Sequence, residues 1–309
     1  MITLPDVDSL MAGGLGDWLD SQQAARAETR TKIRNISISG FALGGIVALA
    51  GWAVGGFNLA YFLGALIAMG TLAWAAHLRN QMIGSLKIKM NGALADALDV
   101  NYLLAPDPGP EFDIALEYRL LPDHDNAHFH DSWDGRTGDT DFLIHESKLT
   151  ETRGSGKNRR TVTVFQGIII RFHFAREFLG TTLIRRDGFK FTPFGDDKKL
   201  GGQVLERIRM VDPHFEDAFD VYASDAVEGR YLVHPEYCER LLELENSFAG
   251  EKLCALFFKG DLIVTIHTED LFESATLDPA QDRELLGRTI GQFASITRLV
   301  ATLNERARN

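Results

Sequence analysis

At 309 residues, 45% of them hydrophobic, the chain can bury a substantial core, yet it is too short to wrap a long apolar segment on every side. A net charge of −11 argues against a nucleic-acid surface. The only cysteines, Cys238 and Cys254, both lie in apolar segments, which excludes a disulfide scaffold and suits reduced core thiols.

Residues 1–34 contain Leu10, Leu15, Trp18 and Leu19, but Gly13, Gly14 and Gly16 interrupt the pattern. We expect a loosely held cytosolic segment that becomes helical towards Arg34. Residues 35–78 then form a run of 44 without Asp, Glu, Lys or Arg. One helix of that length would measure about 66 Å, twice a hydrocarbon core of about 30 Å. Gly55-Gly56-Phe57-Asn58 supplies turn residues in the middle, so the run reads as a transmembrane hairpin with spans at 36–54 and 59–78. A cleaved signal peptide does not fit a run this late and long, behind Asp6, Asp8, Asp17 and Asp20.

Arg26, Arg30, Lys32 and Arg34 precede the hairpin, and Arg79, Lys87 and Lys89 follow it. Basic flanks stay on the cytoplasmic side, which places both ends of the hairpin, and so both termini, in the cytoplasm. Gly40, Gly44, Gly51 and Gly55 fall along one face of the first span. Small residues at this spacing let helix backbones approach closely, here against Gly64, Ala68 and Gly70 of the second span. The competing reading is self-association of several hairpins into a homo-oligomer.

Beyond the second span, Met82, Leu86, Met90, Leu94 and Leu98 recur every four residues, predicting a stalk helix within 79–104 that Gly84 and Gly92 weaken. The Pro-rich stretch at 105–110 stops it, and a cytosolic domain occupies 105–309. Strands are expected at 112–121, 142–150, 160–174, 181–186, 203–210, 253–258 and 262–267. Turns at 154–158 and at Lys259-Gly260-Asp261 make two hairpins. Helices are expected after Asp212-Pro213, after His234-Pro235 to about Ser247, and after Asp278-Pro279 to the C-terminus. The fold class is α+β: a two-helix transmembrane hairpin, then a cytosolic domain with a mostly antiparallel sheet and late helices.

Two segments resemble signatures of a bacterial inner-membrane family catalogued as domain of unknown function 3137. The first is Phe165-Gln-Gly-Ile-Ile-Ile through Phe174-Ala-Arg-Glu-Phe-Leu-Gly-Thr-Thr182. The second is Phe215-Glu-Asp-Ala-Phe-Asp-Val-Tyr222 with Asp225 and Glu228-Gly-Arg-Tyr-Leu-Val-His-Pro235. Asp131-Ser-Trp-Asp-Gly135 and Phe272-Glu273 are weaker matches, and Gly229 stands where members usually have Ala. The resemblance covers most of residues 36–300. It implies an inner-membrane protein, often encoded beside LemA-type membrane proteins, with no established activity; a LemA-type protein is therefore a candidate partner.

Candidate chemistry is sparse. Gly154-Ser-Gly-Lys157 lacks the first Gly and the Ser or Thr of a phosphate loop and joins two strands. His234 lies four residues from Cys238, but Pro235 makes it a helix cap and not a catalytic base. His124, His128, His130 and Asp131 are a candidate metal set, with an acidic surface loop as the plainer reading. Asp220, Asp225, Glu228, Arg230 and Tyr231 form either a ligand pocket or a conformational cluster, in which Arg230 pairs with a carboxylate and Tyr231 packs on the sheet.

Charge is unevenly spread. Residues 148–209 hold 14 Lys and Arg against 6 Asp and Glu, between two acidic blocks. Lys157, Arg159, Arg160, Arg171, Arg185 and Arg186 could therefore face anionic lipid or an acidic partner, or else pair internally. The sequence supports a membrane-tethered binding or scaffold module without a cofactor. The alternative is a metal-dependent hydrolase using the His124 to Asp134 region.

Overall fold

The computed structural model describes residues 3–54, 57–175, 177–186, 197–210, 218–269 and 275–307. It is an α+β chain with two long apolar N-terminal helices, an antiparallel sheet of ten strands among the described residues, and late helices. Two compact units divide it. One comprises Asp6–Ala93 with Glu273–Gly287, and the other comprises Met1–Pro5, Leu94–Phe272 and Arg288–Asn309.

In the first unit, α1 (Val7–Met11) and α2 (Gly14–Ser21) lead into α3 (Gln23–Ala53) and α4 (Phe57–Leu98). The N-terminal segment is thus helical and packed, not loosely held. Gly13 serves as the N-cap of α2, while Leu15 and Leu19 bury against Leu86, Met90, Ala275 and Leu286. Tertiary burial outweighs the poor helix propensity of Gly14 and Gly16.

The helices α3 and α4 are long and apolar enough to cross a membrane, and only 17% and 11% of their most apolar windows are buried. A core helix of a soluble protein would bury most of that window. Gly40, Gly44 and Gly51 are the buried positions on the apolar part of α3. A Cβ on Gly44 would lie 2.6 Å from the Gly64 carbonyl oxygen, and one on Gly64 would lie 2.5 Å from that of Gly44. A Cβ on Gly40 would collide with Thr71. Gly55 lies outside the described residues. Gly84 and Gly92 leave α4 unbroken, and it stops at Asp99 in the left-handed region (φ 56°), short of the expected residue 104.

The second unit is built on a sheet of order β1-β2-β3-β4-β10-β9-β5-β8-β7-β6. Its strands are β1 (Asn101–Leu103), β2 (Asn126–Thr137), β3 (Thr140–Arg153), β4 (Arg160–His173), β5 (Thr182–Arg186), β6 (Asp197–Leu200), β7 (Gln203–Ile208), β8 (Phe219–Ala223), β9 (Glu251–Phe258) and β10 (Asp261–His267). Centrally, Ile144, Ile170, Val264 and Ala255 stand opposite one another across β3, β4, β10 and β9. One sheet face packs Phe165, Ile169, Leu256 and Ile263 beneath α5 (Pro110–Glu117). On the other, α7 (Pro235–Ser247) sets Tyr237 against Phe257, and α8 (Asp282–Ala307) sets Phe293 between Trp133 and Phe142.

Four expectations are corrected. Residues 112–121 are not a strand: Gly109 caps α5, Pro110 opens it, and Phe112 and Ala115 bury on one helical face. The His128 region is the strand β2, bulged between His130 and Trp133, as the two-ligand reading of His128 and His130 requires and not the surface loop of the plainer reading. Phe219 belongs to β8 and not to a helix, while Asp212 and Pro213 lie outside the described residues. The edge strand β6 adds to the expected set, joined to β7 through Gly201 and Gly202, whose positive φ values suit a two-residue hairpin turn.

Candidate functional site

The segment between β4 and β5 is fastened through the backbone N–H groups of Phe174, Phe178, Leu179, Gly180 and Thr181. The Phe174 N–H donates to the Gly260 carbonyl (2.8 Å) and the Phe178 N–H to that of Lys259 (2.6 Å). The Leu179 and Gly180 N–H groups donate to the two oxygens of Glu228 (2.7 and 2.5 Å). The Thr181 N–H then donates to Ser224 Oγ (2.8 Å). Below the backbone, Phe178 packs edge-on against Phe174 and Phe257.

Glu228 is itself positioned by Asp225, the N-cap of α6 (Ala226–Leu232), which accepts from the Val227 and Glu228 N–H groups (2.8 and 3.1 Å). The short helix sits tightly on the sheet at Gly229, where a Cβ would come within 2.8 Å of Ile208 and 2.9 Å of Ala223. Above this scaffold, three apolar side chains face outward: Leu179 is 90% exposed, Val227 78% and Tyr231 44%. Val227 and Tyr231 are one turn apart on α6, and Leu179 is tied beside them through Glu228. Sequence reading singled out Glu228 and Tyr231 but missed Leu179 and Val227. Their signal was an apolar residue between Phe178 and Gly180, and another at the second position of a capped helix.

The remaining members of the proposed pocket are used locally. Asp220 pairs with Arg207 (2.5 Å), and Arg230 donates to the Arg209 and Ala226 carbonyls (3.4 and 3.3 Å), with no carboxylate partner among the described residues. Tyr231 is 44% exposed.

The six basic candidates do not share a surface. Arg159 and Arg160 are exposed at the tip of the β3–β4 hairpin; the side chain of Lys157 lies outside the described residues. Arg171 pairs with Asp261 (3.0 Å), which also binds His173 (2.8 Å). Arg186 pairs with Glu245 (3.2 Å) and lies 5.0 Å over the Phe219 ring. Arg185 is buried and donates to the Arg119 carbonyl, and its burial lowers its pKa. The basic block thus meets the C-terminal acidic block in specific ion pairs.

The metal candidates are separated. His128 and His130 are exposed on one face of β2, whereas Asp131 turns inward at the bulge (φ 47°) and accepts from the Tyr102 hydroxyl. His124 stacks edge-on against Phe112. Among the described residues, no group of three or more His, Cys, Asp or Glu side chains could hold a metal ion.

Two buried polar pairs were not foreseen. In the sheet unit, His145 binds Glu111 (3.1 Å) and Ser147 Oγ (3.1 Å), all three buried. Burial pushes the Glu111 carboxyl up, but bonds from His145 and the Gly109 N–H outweigh it and hold the group below its ordinary range. In the hairpin unit, Arg26 on α3 donates to both oxygens of Asp282 (2.9 and 2.8 Å), and both residues are buried. Burial holds that carboxyl above its ordinary range despite Arg26. Burial also raises the Cys254 thiol to about 12, so it is an inert core group.

The fold and the exposed apolar helices point to a membrane-associated α+β protein. Residues 163–305 match the family model described as "Protein of unknown function (DUF3137)", in agreement with the resemblance carried by the two signatures. Those signatures meet where Glu228 receives the backbone of Leu179 and Gly180. No curated protein matches the chain. Among solved structures it is similar to the crystal structure of the mycobacterial trehalose monomycolate transport factor A, TtfA. That likeness has 10% identity, covers 70% of this chain and 95% of that one, and has a TM-score of 0.35, too low to inform function.

Proposed function

We propose that this chain is a two-pass bacterial inner-membrane protein with both termini in the cytoplasm. Its β-rich domain acts as a binding or scaffold module for a partner membrane protein. The observation that carries the reading is the outward-facing set of Leu179, Val227 and Tyr231, fixed on a hydrogen-bonded frame made from both family signatures. Exposed apolar side chains on a rigid frame suit protein contact. The basic block is the weaker contact surface, because Arg171, Arg185 and Arg186 are engaged inside the domain. A LemA-type membrane protein is the candidate partner.

The test is site-specific photocrosslinking at Val227 in the full chain within native membranes. A discrete adduct with a membrane protein is expected, lost on Leu179→Asp and unaffected by Arg160→Gln. Absence of any adduct, or an adduct indifferent to Leu179→Asp, overturns the reading. Protease added outside sealed spheroplasts checks the orientation and should leave the C-terminal domain intact.

A further inference from the structure

At the base of the hairpin, α3 and α4 part and leave a groove of about 270 Å³ between Thr29 and Lys32 on α3 and Leu78, Gln81, Met82 and Ser85 on α4. The groove lies just outside the uncharged run, which begins after Arg34 and ends at Leu78, and touches that run only at Leu78. Its lining is mixed: Leu78 and Met82 are apolar, while Lys32, Thr29, Gln81 and Ser85 bring an ammonium, two hydroxyls and an amide. No carboxylate lines it.

We propose that this groove binds the phosphate headgroup of an anionic phospholipid, with the start of an acyl chain against Leu78. The proposal rests on the membrane reading of α3 and α4. The volume is slightly below that of typical small-molecule pockets, about 300–1,000 Å³, and so suits a headgroup and not a whole lipid. Lys32 supplies the charge, and the Thr29 hydroxyl and the Gln81 amide offer neutral donors to phosphate oxygens, while the Ser85 hydroxyl donates to the Met82 carbonyl (2.8 Å). Lys32 is paired with Glu28 at 2.7 Å, but both are exposed, and such pairs are weak enough for a phosphate to displace. Arg30, Arg34 and Arg79 make the surrounding boundary basic, which concentrates anionic lipid there. Leu78 and Met82, the two apolar members of the lining, favour a lipid over a free anion. The base of the hairpin is fixed by the buried Arg26–Asp282 pair, which joins α3 to the start of α8.

The experiment is lipid retention by the full chain, purified in mild detergent and measured by native mass spectrometry with phosphatidylglycerol or phosphatidylcholine. Phosphatidylglycerol should be retained about fivefold or more in excess. Lys32→Gln should remove most of that preference. Ser85→Trp, which fills the groove without changing its charge, should abolish it. Lys89→Gln, on α4 but outside the groove, should change it less than twofold. Inorganic phosphate should compete no better than chloride at equal ionic strength. Equal retention of the two lipids, indifference to Ser85→Trp, equal loss in Lys89→Gln and Lys32→Gln, or displacement by inorganic phosphate each overturns the proposal. Recovery of the chain in the soluble fraction after detergent-free lysis would instead refute the membrane reading. An embedded chain without lipid preference refutes the groove alone.

Discussion

The hairpin and the sheet are built inside out with respect to each other. In α3 and α4 the large side chains, such as Ile46, Leu49, Phe62 and Met69, face outward, while Gly40, Gly44 and Gly64 fill the seam. In the sheet, Ile168, Ile170, Leu256 and Phe257 face inward, and polar residues occupy the rim. Both regions obey one rule, that large apolar surface avoids water. The difference teaches that the hairpin's surroundings are themselves apolar, since helices in lipid pack through small residues and leave the large ones to the hydrocarbon.

Polar pairs sharpen the contrast, because each region also buries one. Arg26→Met should have the largest effect, leaving Asp282 buried without its cation. Breaking one side of such a pair costs about 3–5 kcal/mol. Replacing both, as Arg26→Met with Asp282→Leu, should restore most of the loss. Thermal unfolding of the full chain in detergent reads both variants, and a double variant no better than the single would show that the pair is more than a packing element.

A matched pair of substitutions tests the inversion itself. Ile170→Ala should destabilise the sheet by about 2–5 kcal/mol, because the neighbours of a buried isoleucine cannot collapse fully into the space. Ile46→Ala, on an outward face, should stay within about 0.5 kcal/mol. Equal losses at the two positions would mean that α3 is buried by protein in the functional state, and the inside-out comparison would fail.

The seam can be broken directly. Gly44→Val places a side chain where the Gly64 carbonyl stands and should cost about 1–3 kcal/mol through overpacking. Gly45→Val, one residue along, meets open space and is the control. If both variants melt alike in detergent, the small residues are not what joins the two helices.

How much of this was legible depends on the range of the signal. The hairpin, the β9–β10 turn at Lys259-Gly260 and the start of α7 were readable because their causes are local: His234 caps α7 by accepting from the Tyr237 N–H. Asp278 instead caps a short 3-10 turn at Pro279–Gln281, and α8 starts just beyond it at Asp282. The helix α5 was misread because Phe112, Ile114 and Leu116 alternate like a strand, although Gly109-Pro110 already marked a helix start. The strand β2 is hard to read because its exposed positions, Asn126, His128, His130, Asp134 and Arg136, are all polar and a bulge at Asp131 breaks its period. Arg26 and Asp282 are 256 residues apart, and no pattern along the chain announces their meeting. The same holds for the candidate site: Glu228 was noticed for its charge, but its task is to hold a backbone 48 and 49 residues upstream.

That task yields the smallest and most specific effect. Each Glu228 oxygen accepts one N–H, so Glu228→Gln turns one acceptor into a donor facing the Leu179 or Gly180 N–H. Losing one charge-assisted hydrogen bond at a partly exposed site should cost about 1–2 kcal/mol, an amount the whole domain can absorb. Its consequence is local: the Leu179 to Thr181 backbone should exchange its amide hydrogens faster, while the central strands β4 and β10 keep their protection. Hydrogen exchange resolved by peptide separates the two regions. Faster exchange across the whole sheet would show that Glu228 supports the core and not the exposed Leu179 frame.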